Sequence, residues 1–304
     1  MNSNNSERIS AGALVCVLLV TLVWGVNFLV IKIGVQDVPP LFLVALRFAF
    51  SAFPAVFFVR RPNVSWTKLA AYGLLLGVGE FGMLFIAIKL GAPTGVSSIV
   101  MQSQVFFTAL LAAFAFKEHI RTHSIAGMIL AGIGLAIFIV PSLRGGSSAI
   151  ALLPLSMILL SALFWAAANL VAQRMPGANG LSLMVWSSLF SPLPLLLLSW
   201  IFERDYLSAA VRGFSLVSLG SLAYLVILST LFGYGVWNQM IMKQGAKRIA
   251  PFSLLVPVFG VAASALFMNE PLTPVSVSAS LCILAGLAVH VRGAYAKPKG
   301  AAPR

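Results

Sequence analysis

The sequence of 304 residues has little charge, few acids and few of the residue types that build enzyme sites. Asp, Glu, Lys and Arg make up 9% of it, and only seven residues are acids, whereas a soluble domain carries about 25% charged residues. A chain with so little charge cannot cover a folded core with groups that face water, so an ordinary water-soluble enzyme is excluded. Its high hydrophobic content also excludes a disordered chain, which requires low hydrophobicity.

Motifs for disulfide, metal and catalytic sites are missing as well. The two cysteines, Cys16 and Cys282, lie in separate apolar runs and offer neither a disulfide framework nor metal-ligand spacing. His119 and His123 are spaced as helical metal ligands, but the sequence fixes no third ligand beside them. There is no Gly-Lys-Ser/Thr phosphate loop and no Ser/His/Asp set within an apolar segment. We therefore predict no metal, no cofactor and no enzyme activity.

What the sequence has instead is a series of long apolar stretches, since 60% of its residues are hydrophobic. A helix needs about 20 apolar residues to cross a membrane, and these stretches have that length or multiples of it. We predict an all-α integral membrane protein with ten transmembrane helices, joined by links too short to hold a soluble domain. The predicted spans are 11–34, 40–59, 66–89, 95–116, 122–141, 150–173, 180–202, 215–241, 249–268 and 274–292.

The few charges are strongly unbalanced, with 20 Lys and Arg against 7 Asp and Glu and a formal net charge of +13. Cytoplasmic loops of membrane proteins are enriched in Lys and Arg. Fourteen basic residues fall on the side that holds both ends of a ten-span chain, and five fall on the other side. This asymmetry predicts cytoplasmic termini and explains the excess without a nucleic-acid partner. The basic segment 297–304 is expected near anionic lipid headgroups.

Short segments recur in the same order in the two halves of the sequence. Ile-Leu-Ala-Gly at 129–132 returns at 283–286, a shift of 154. Lys89 and Lys243, each followed two residues later by Gly-Ala, are separated by the same shift. Several matches at nearly one offset indicate an internal duplication.

We predict two repeats of five helices each, covering residues 1–145 and 146–304, with the loop acids Glu118 and Glu270 at matching places. Because five is an odd number, the second repeat enters the membrane from the opposite face, and the repeats are inverted. Inverted repeats characterise secondary transporters, in which two similar halves alternate around a site near the middle of the membrane. The alternative is a duplication that only builds a stable bundle.

Three motifs resemble those of a known transporter family: Val-Trp-Gly-Val-Asn-Phe at 23–28, Leu-Arg-Phe at 46–48 and Ser-Leu-Leu-Val-Pro-Val at 253–258, followed by Glu270. Together with ten spans in a repeat of five and five, they resemble the drug/metabolite transporter superfamily and, within it, the EamA-type exporters. The resemblance covers nearly the whole chain. It implies efflux of small metabolites across a bacterial inner membrane.

Two longer runs, at 27–32 and 250–257, are most similar to the branch that exports O-acetylserine and cysteine. Substrates vary within this family, so the branch does not fix the ligand. The sequence departs from the pattern at Gln104, which stands where the second half has Pro257. Pro257 removes a backbone donor inside helix 9 and is a candidate hinge, although a static kink explains it equally well.

Glu80 is the only acid within any predicted span, and at the shift of 154 its counterpart is Tyr234. An ionisable group inside a membrane is costly, so it usually faces a cavity or a partner. Two roles are open for Glu80. It either binds a substrate ammonium or relays a coupling proton, or it is a buried acid, protonated or paired with Arg47, that holds the bundle together. Arg47 in turn is either an ion-pair partner or a group that holds a substrate carboxylate.

Further polar residues in helices 1, 4, 6 and 8 are expected to face the interior of the bundle and not the lipid. In helix 6, Ser161, Trp165 and Asn169 are spaced by four and share one face, which must look into protein or water. We predict a cavity with aromatic walls and with amides that form hydrogen bonds. For each amide alone, ordinary bonding between helices is an equally good explanation. The predicted substrate-binding residues are Glu80, Trp24, Asn27, Gln102, Trp165, Asn169 and Tyr234.

The sequence thus predicts a secondary transporter that exports small amino-acid-like metabolites, such as cysteine or O-acetylserine, across the inner membrane by alternating access. One alternative is an exporter of aromatic or other amino acids or of small cationic drugs, and another is a membrane scaffold or receptor. The expected partners are a small metabolite and membrane lipids, with a coupling proton and a second copy of the chain as open options. Helices 5 and 10, nearly wholly apolar and rich in small residues, are candidates for a scaffold or a dimer face.

Overall fold

The computed structural model describes residues 10–117, 119–143, 150–207, 214–270 and 273–295. These residues form helices, turns and bends but no β-strand, which confirms the predicted all-α class. The predicted repeat acid Glu118 and the basic segment 297–304 lie outside the described residues. The longer helices within the described ranges are numbered in chain order: α1 Ala11–Asp37, α2 Pro40–Phe57, α3 Trp66–Lys89, α4 Thr94–Phe116, α5 Thr122–Leu143, α6 Leu152–Gln173, α7 Gly180–Phe190 with Pro192–Phe202, α8 Leu216–Gln244, α9 Pro251–Phe267 and α10 Pro274–Tyr295.

Eight helices in the described part of the chain are long and apolar enough to cross a membrane. They are α1 to α6, α8 and α10, and each lies close to a predicted span. The two parts of α7 are bent by 43° and form a ninth span if they are counted together. The apolar helix α9 is shorter than the rest. Eight of the ten predicted spans therefore correspond to helices that are long enough to cross a membrane. The full count of ten stays a prediction, because α7 is bent and α9 is short.

Local sequence explains where several helices begin and break. Ser10, Asn179 and Ser215 precede α1, α7 and α8, and each side-chain oxygen accepts a hydrogen bond from a backbone N–H of the first turn. Such caps satisfy donors that have no partner inside the helix. The bend in α7 falls at Ser191, directly before Pro192. Proline has no backbone N–H to continue the helical ladder, so the chain bends there.

Two helices contain a wide, π-helical segment near their middle. These segments are Leu75–Phe81 in α3 and Tyr224–Phe232 in α8. Both return to α-helix at a glycine, Gly82 in α3 and Gly233 in α8, and these two glycines are 151 positions apart. Wide helical turns of this kind are rare in proteins, and those that occur are often found at functional sites.

The helices pack in a pattern that mixes the two halves of the chain. Helix α1 packs against α8 and α9, whereas α6 packs against α3 and α4. Helix α2 packs against α7, and α5 packs along α10. The largest cluster of buried apolar side chains lies between α1, α2, α3, α4 and α6 and extends to α8. The first helix of each predicted repeat therefore contacts the third and fourth helices of the other repeat.

The α5–α10 contact depends on two glycines that face each other. A Cβ placed on Gly127 would lie 2.6 Å from the carbonyl oxygen of Gly286, and one on Gly286 would lie 2.5 Å from that of Gly127. Small residues allow such close approach of helices in membranes. On the same helix, a Cβ placed on Gly132 would have no atom within 4 Å. The predicted small-residue packing of helices 5 and 10 is therefore a contact within one chain at Gly127 and Gly286.

We expect Gly127→Ala to destabilise the protein by about 1–3 kcal/mol, because the new methyl group would push the α10 backbone away. Gly132→Ala is the matched control and should be neutral or slightly stabilising, since alanine favours a helix over glycine. Thermal unfolding of the purified variants in detergent measures the difference. Equal melting temperatures for the two variants would contradict this account of the α5–α10 contact.

Candidate functional site

A cavity of about 320 Å³ lies between α1, α2, α3, α4, α6, α8 and the start of α9. We call it the central cavity. All seven predicted substrate-binding residues line it, and so does Arg47. Its other polar and aromatic lining residues, which the sequence did not single out as binding residues, are Phe28, Tyr72, Phe81, Gln104, Ser229, Trp237 and Ser253. The structure thus brings the predicted residues together from five helices, whereas their role in binding a substrate stays a prediction.

Glu80 is buried in the wide segment of α3, with 3% of its surface exposed. Its backbone carbonyl accepts a hydrogen bond of 2.8 Å from the Ser161 hydroxyl of α6. Its side-chain Oε2 atom has no hydrogen-bond partner among the described protein atoms. A buried polar atom without a partner costs free energy in a low-dielectric interior. The Glu80 carboxyl is therefore an acceptor available to a polar group inside the central cavity.

Arg47 reaches from α2 to the wide segment of α8 and is 1% exposed. Its Nε atom donates to Thr230 Oγ1 and its Nη2 atom donates to Ser229 Oγ, each at 3.3 Å. The guanidinium lies over the Phe81 ring, 4.0 Å from the ring centre, in a favourable cation–π geometry. The Nη1 atom has no hydrogen-bond partner among the described atoms. The side chain is held firmly while one donor group remains available.

Glu80 and Arg47 line the same cavity but do not form an ion pair. Lys32 and Glu270, in contrast, form a salt bridge of 2.7 Å. A buried carboxyl and a buried guanidinium are costly without a close partner, and the charges of Glu80 and Arg47 act on each other only across the cavity. The arrangement therefore places an unpaired acceptor and an unpaired cationic donor around one small volume. The two side chains do not meet at salt-bridge distance, although their charges interact, and the structural role predicted for the pair stays a prediction.

Aromatic side chains form the wall of the central cavity on the side of α8. The Trp24 indole Nε1 atom of α1 donates a 3.0 Å hydrogen bond to the Ser229 backbone carbonyl. The Trp24 ring centre lies 5.5 Å from that of Tyr234 and 5.2 Å from that of Trp237. These distances are typical of favourable tilted aromatic pairs. A hydrogen bond and two ring contacts therefore fix the Trp24 indole at the cavity.

The amides of the cavity differ in how fully they are bonded. Asn169 Nδ2 donates to Gln104 Oε1 at 2.9 Å and to Thr108 Oγ1 at 3.3 Å, which ties α6 to α4. Asn27, which is 6% exposed, has no partner for its Oδ1 atom among the described atoms. Gln102 is also buried and lines the cavity. The bonded Asn169 therefore fits the predicted alternative of bonding between helices, whereas Asn27 offers a free acceptor.

Pro257, the predicted hinge, lies in α9 but not on the central cavity. It lines a second, separate cavity of about 540 Å³ between the start of α4 and helices α9 and α10. The side chains of Lys32 and Glu270 also line this second cavity. The hinge role of Pro257 stays a prediction.

A cluster around Glu270 ties three helices together at the end of the bundle where α4 begins. The carboxylate accepts 2.7 Å from Lys32 Nζ of α1, 3.0 Å from Thr94 N and 3.3 Å from Gly95 N of α4, and it also accepts a hydrogen bond from the Ser264 hydroxyl of α9. A carboxylate at the first turn of a helix satisfies free N–H groups and favours the helix dipole. The sequence marked Glu270 as a repeat acid but gave no sign of these partners, which are distant along the chain.

The surroundings of Glu270 act on its pKa in two directions. Burial alone would raise the pKa of this carboxyl, but the hydrogen bonds from Lys32, Ser264 and the backbone of Thr94 and Gly95 outweigh burial. The pKa is therefore held below the ordinary value. A carboxyl whose pKa is lower in the folded state stabilises the fold when it is ionised.

An all-helical bundle of apolar spans with a cavity lined by polar and aromatic side chains is typical of membrane transporters, and comparison with known proteins shows which family is present. The model of the EamA-like transporter family matches the sequence twice, over residues 11–140 and 152–292. The chain therefore belongs to the EamA-like transporter family. Members of this family are multi-pass membrane transporters and not enzymes, as the sequence predicted.

Two bacterial relatives are similar over nearly their whole length. A protein of Salmonella typhimurium strain LT2, described as a probable amino-acid metabolite efflux pump, is 42% identical over 281 residues, which cover 91% of this chain and 93% of that protein. A protein of Escherichia coli strain K12 with the same description is 39% identical over 288 residues, covering 92% of this chain and 94% of that protein. A solved crystal structure with 18% identity has a TM-score of 0.60 and covers 95% of this chain and 100% of its own. At that identity it supports the fold alone.

We expect Glu270→Gln to lower the stability at pH 7 by about 1.5–3 kcal/mol, the usual contribution of hydrogen bonds to a charged group. In the wild type the contribution of Glu270 is fully present above the ordinary Glu pKa of about 4.3, and it is lost as pH falls through the lower pKa of the folded state. The variant should lack this loss. Thermal unfolding in detergent between pH 7 and pH 3 measures both effects.

The exposed residue Asp205 supplies the control for this experiment, because Asp205→Asn removes an acid that lies at the surface. It should follow the wild-type curve. Parallel pH curves for the wild type and Glu270→Gln would show that the cluster does not stabilise the fold.

Proposed function

We propose that the protein exports a small amino-acid-like metabolite, such as cysteine or O-acetylserine, across the inner membrane by alternating access. One observation carries the proposal: Glu80 and Arg47 line one small cavity, each with an unpaired polar atom. A zwitterionic amino acid carries one positive and one negative group a few bonds apart, so it can satisfy both. The description of the two bacterial relatives as probable amino-acid metabolite efflux pumps supports the same class of substrate.

Each pole of the substrate has a matching group in the central cavity. The ammonium would donate to the unpaired Oε2 atom of Glu80 and to the unpaired Oδ1 atom of Asn27. The carboxylate would accept from the unpaired Nη1 atom of Arg47, and charge-assisted hydrogen bonds of this kind are about twice as strong as neutral ones. Glu80 could also bind a coupling proton at the same carboxylate, in competition with the substrate ammonium.

The proposed mechanism uses two inverted repeats of five helices, residues 1–145 and 146–304. Two observations support this division. Helix α1 packs against α8 and α9, and α6 packs in the same way against α3 and α4. This reciprocal packing is expected of two equivalent halves related by a two-fold axis. The C-terminal residues of α4 and α9, Phe116 and Phe267, are 151 positions apart, as are the glycines that end the two wide segments. Halves related in this way can exchange their conformations and move the opening of the cavity from one side to the other.

The proposed orientation decides which end of the bundle faces the outside. With ten spans and the basic residues on the side of both termini, the termini are cytoplasmic. The Glu270 cluster then lies at the outer end of the bundle, because it follows nine spans. A homodimer is compatible with this arrangement, but the central cavity is formed by a single chain.

The aromatic wall favours a second candidate substrate. Trp24, Tyr234 and Trp237 lie together beside the cavity, and aromatic faces bind aromatic rings and cationic groups. An exporter of aromatic amino acids or of small organic cations would use the same site. A scaffold or receptor without transport, in contrast, gives no reason for unpaired ionisable groups around a buried cavity.

The direct test is flux through the purified protein in sealed liposomes. Vesicles with and without the protein are loaded with labelled cysteine, O-acetylserine, serine, phenylalanine or tetraphenylphosphonium, and efflux is followed. Faster efflux of the small amino acids from the vesicles with protein is the expected result. Selective efflux of phenylalanine or of the cation would support the second candidate. Absence of protein-dependent flux for every compound would contradict transport.

We expect Glu80→Gln to reduce flux by at least about tenfold, because the neutral amide loses the charge-assisted hydrogen bond to the ammonium, a difference of more than about 1.4 kcal/mol. Glu80→Asp keeps the charge on a shorter side chain and should restore part of the flux. The assay is initial efflux from liposomes at several pH values. Wild-type rates and an unchanged pH profile in Glu80→Gln would show that Glu80 has only a structural role.

A further inference from the structure

Gly233 occupies a position in α8 where the Trp24 indole leaves no room for a side chain. A Cβ placed on Gly233 would lie 2.5 Å from Trp24 Nε1 and 3.1 Å from Trp24 Cε2. Real Cβ atoms do not approach other atoms as closely as 2.5 Å, so the indole would have to move. Gly233 also marks the end of the wide segment that supplies the Ser229 carbonyl to Trp24. The indole is therefore positioned by two features of one short stretch of α8.

The indole is confined by neighbours on the side of α8. Tyr234 and Trp237 lie beside its ring, and the backbone of α8 lies beneath it at Gly233. Its remaining side contributes to the wall of the central cavity. A side chain at position 233 would thus break the Trp24–Ser229 hydrogen bond and push the indole into the cavity. The absence of a side chain at position 233 determines how much space the aromatic wall leaves for a substrate.

We propose that Gly233 is a specificity-determining residue, which positions Trp24 and thereby sets the largest amino-acid side chain that the central cavity accepts. This inference rests on the proposed function, because it assumes that an amino acid binds between Glu80, Arg47 and the aromatic wall. Trp24 lines the same cavity as Glu80 and Arg47, so a substrate whose charged groups are held there has to fit its side chain beside the indole. Gly233 touches no substrate itself and acts only through Trp24.

The chain offers a matched control two residues away. A Cβ on Gly235 would have Leu181 Cδ2 as its nearest neighbour, at 3.7 Å, which is ordinary van der Waals contact. Gly233→Ala and Gly235→Ala therefore add the same methyl group to the same helix, but only the first displaces Trp24. Trp24→Phe supplies a rescue, because a phenyl ring is smaller than an indole and is not held in place by the hydrogen bond to Ser229.

The experiment measures binding by thermal stabilisation of the purified protein in detergent with alanine, cysteine, methionine, phenylalanine and tryptophan. A ligand that binds the folded state raises its melting temperature, and the concentration dependence gives an apparent Kd. We expect Gly233→Ala to weaken binding of the largest amino acid that the wild type accepts by at least about tenfold while changing that of alanine little. Gly235→Ala should retain the wild-type ranking, and Gly233→Ala combined with Trp24→Phe should regain the large ligand.

The outcomes separate this inference from the proposed function. Failure of every amino acid to stabilise the wild type would contradict the proposed function itself. Stabilisation of the wild type with the same ranking of ligand sizes in Gly233→Ala would overturn the role of Gly233 and leave the proposed function standing. An equal loss for all ligands in Gly233→Ala, without rescue by Trp24→Phe, would also overturn it, since a general defect does not depend on side-chain size.

Discussion

The structure is governed by the cost of an unpaired polar group among apolar helices. In a hydrocarbon environment there is no water to satisfy such groups, so nearly all of them must bond within the protein. Most polar side chains of the described helices do so, as Ser161, Thr230 and Tyr224 show by donating to backbone carbonyls. The exceptions at the central cavity are the Oε2 atom of Glu80, the Nη1 atom of Arg47 and the Oδ1 atom of Asn27. Their concentration around one volume gives the cavity its chemical character.

Local backbone features bring these groups to the cavity. The wide segments of α3 and α8 carry Glu80 and the two hydroxyl groups that hold Arg47. The Arg47 guanidinium lies between the two segments, with Phe81 of one beneath it and Ser229 of the other bonded to it. The site therefore depends on both halves of the chain. A change in how the halves pack would therefore alter the environment of Arg47.

The charges outside the cavity have a different role. Glu203 accepts hydrogen bonds from Leu41 N at 2.9 Å and Phe42 N at 3.3 Å at the first turn of α2, much as Glu270 does at α4. Lys89 Nζ donates to the carbonyls of Val35 and Gln36 near the end of α1. These side chains satisfy helix ends at the proposed outer face. Among the other described acids, Asp37 is the last residue of α1 and Asp205 is exposed, so Glu80 is the described acid that lies near the middle of a span.

Much of the fold could be predicted because the length of each apolar stretch can be counted in the sequence. The predicted span 66–89 coincides with α3, and 11–34 covers most of α1. The bend of α7 and the shortness of α9 were missed because length and hydropathy do not show where a ladder of hydrogen bonds breaks. The repeat shift of 154 aligned Glu80 with Tyr234, but the glycines that end the wide segments are 151 positions apart. The sequence matches that gave the shift of 154 lie outside the wide segments and so do not align them.

The site was predictable in its residues but not in its bonds. Polar and aromatic side chains within apolar spans are rare, so Glu80, Asn27 and Trp165 stand out, and all of them line the cavity. The partners of Arg47 lie 182 and 183 positions away in sequence, and the partner of Lys32 lies 238 positions away. Such contacts follow from packing alone. Pro257, which was predicted as a hinge and not as a cavity residue, lines the second cavity, and its role stays a prediction.

The central claim is that one cavity is reached in turn from both sides of the membrane. Val256, which lines the cavity, can be changed to cysteine after Cys16→Ala and Cys282→Ala remove the native thiols. The measurement is the rate at which a membrane-impermeant thiol reagent labels this cysteine from each side of oriented vesicles, with a thiol-free substrate such as O-acetylserine on one side. The account predicts labelling from both sides, with added substrate changing the two rates in opposite directions. Labelling from one side only under every condition would contradict it.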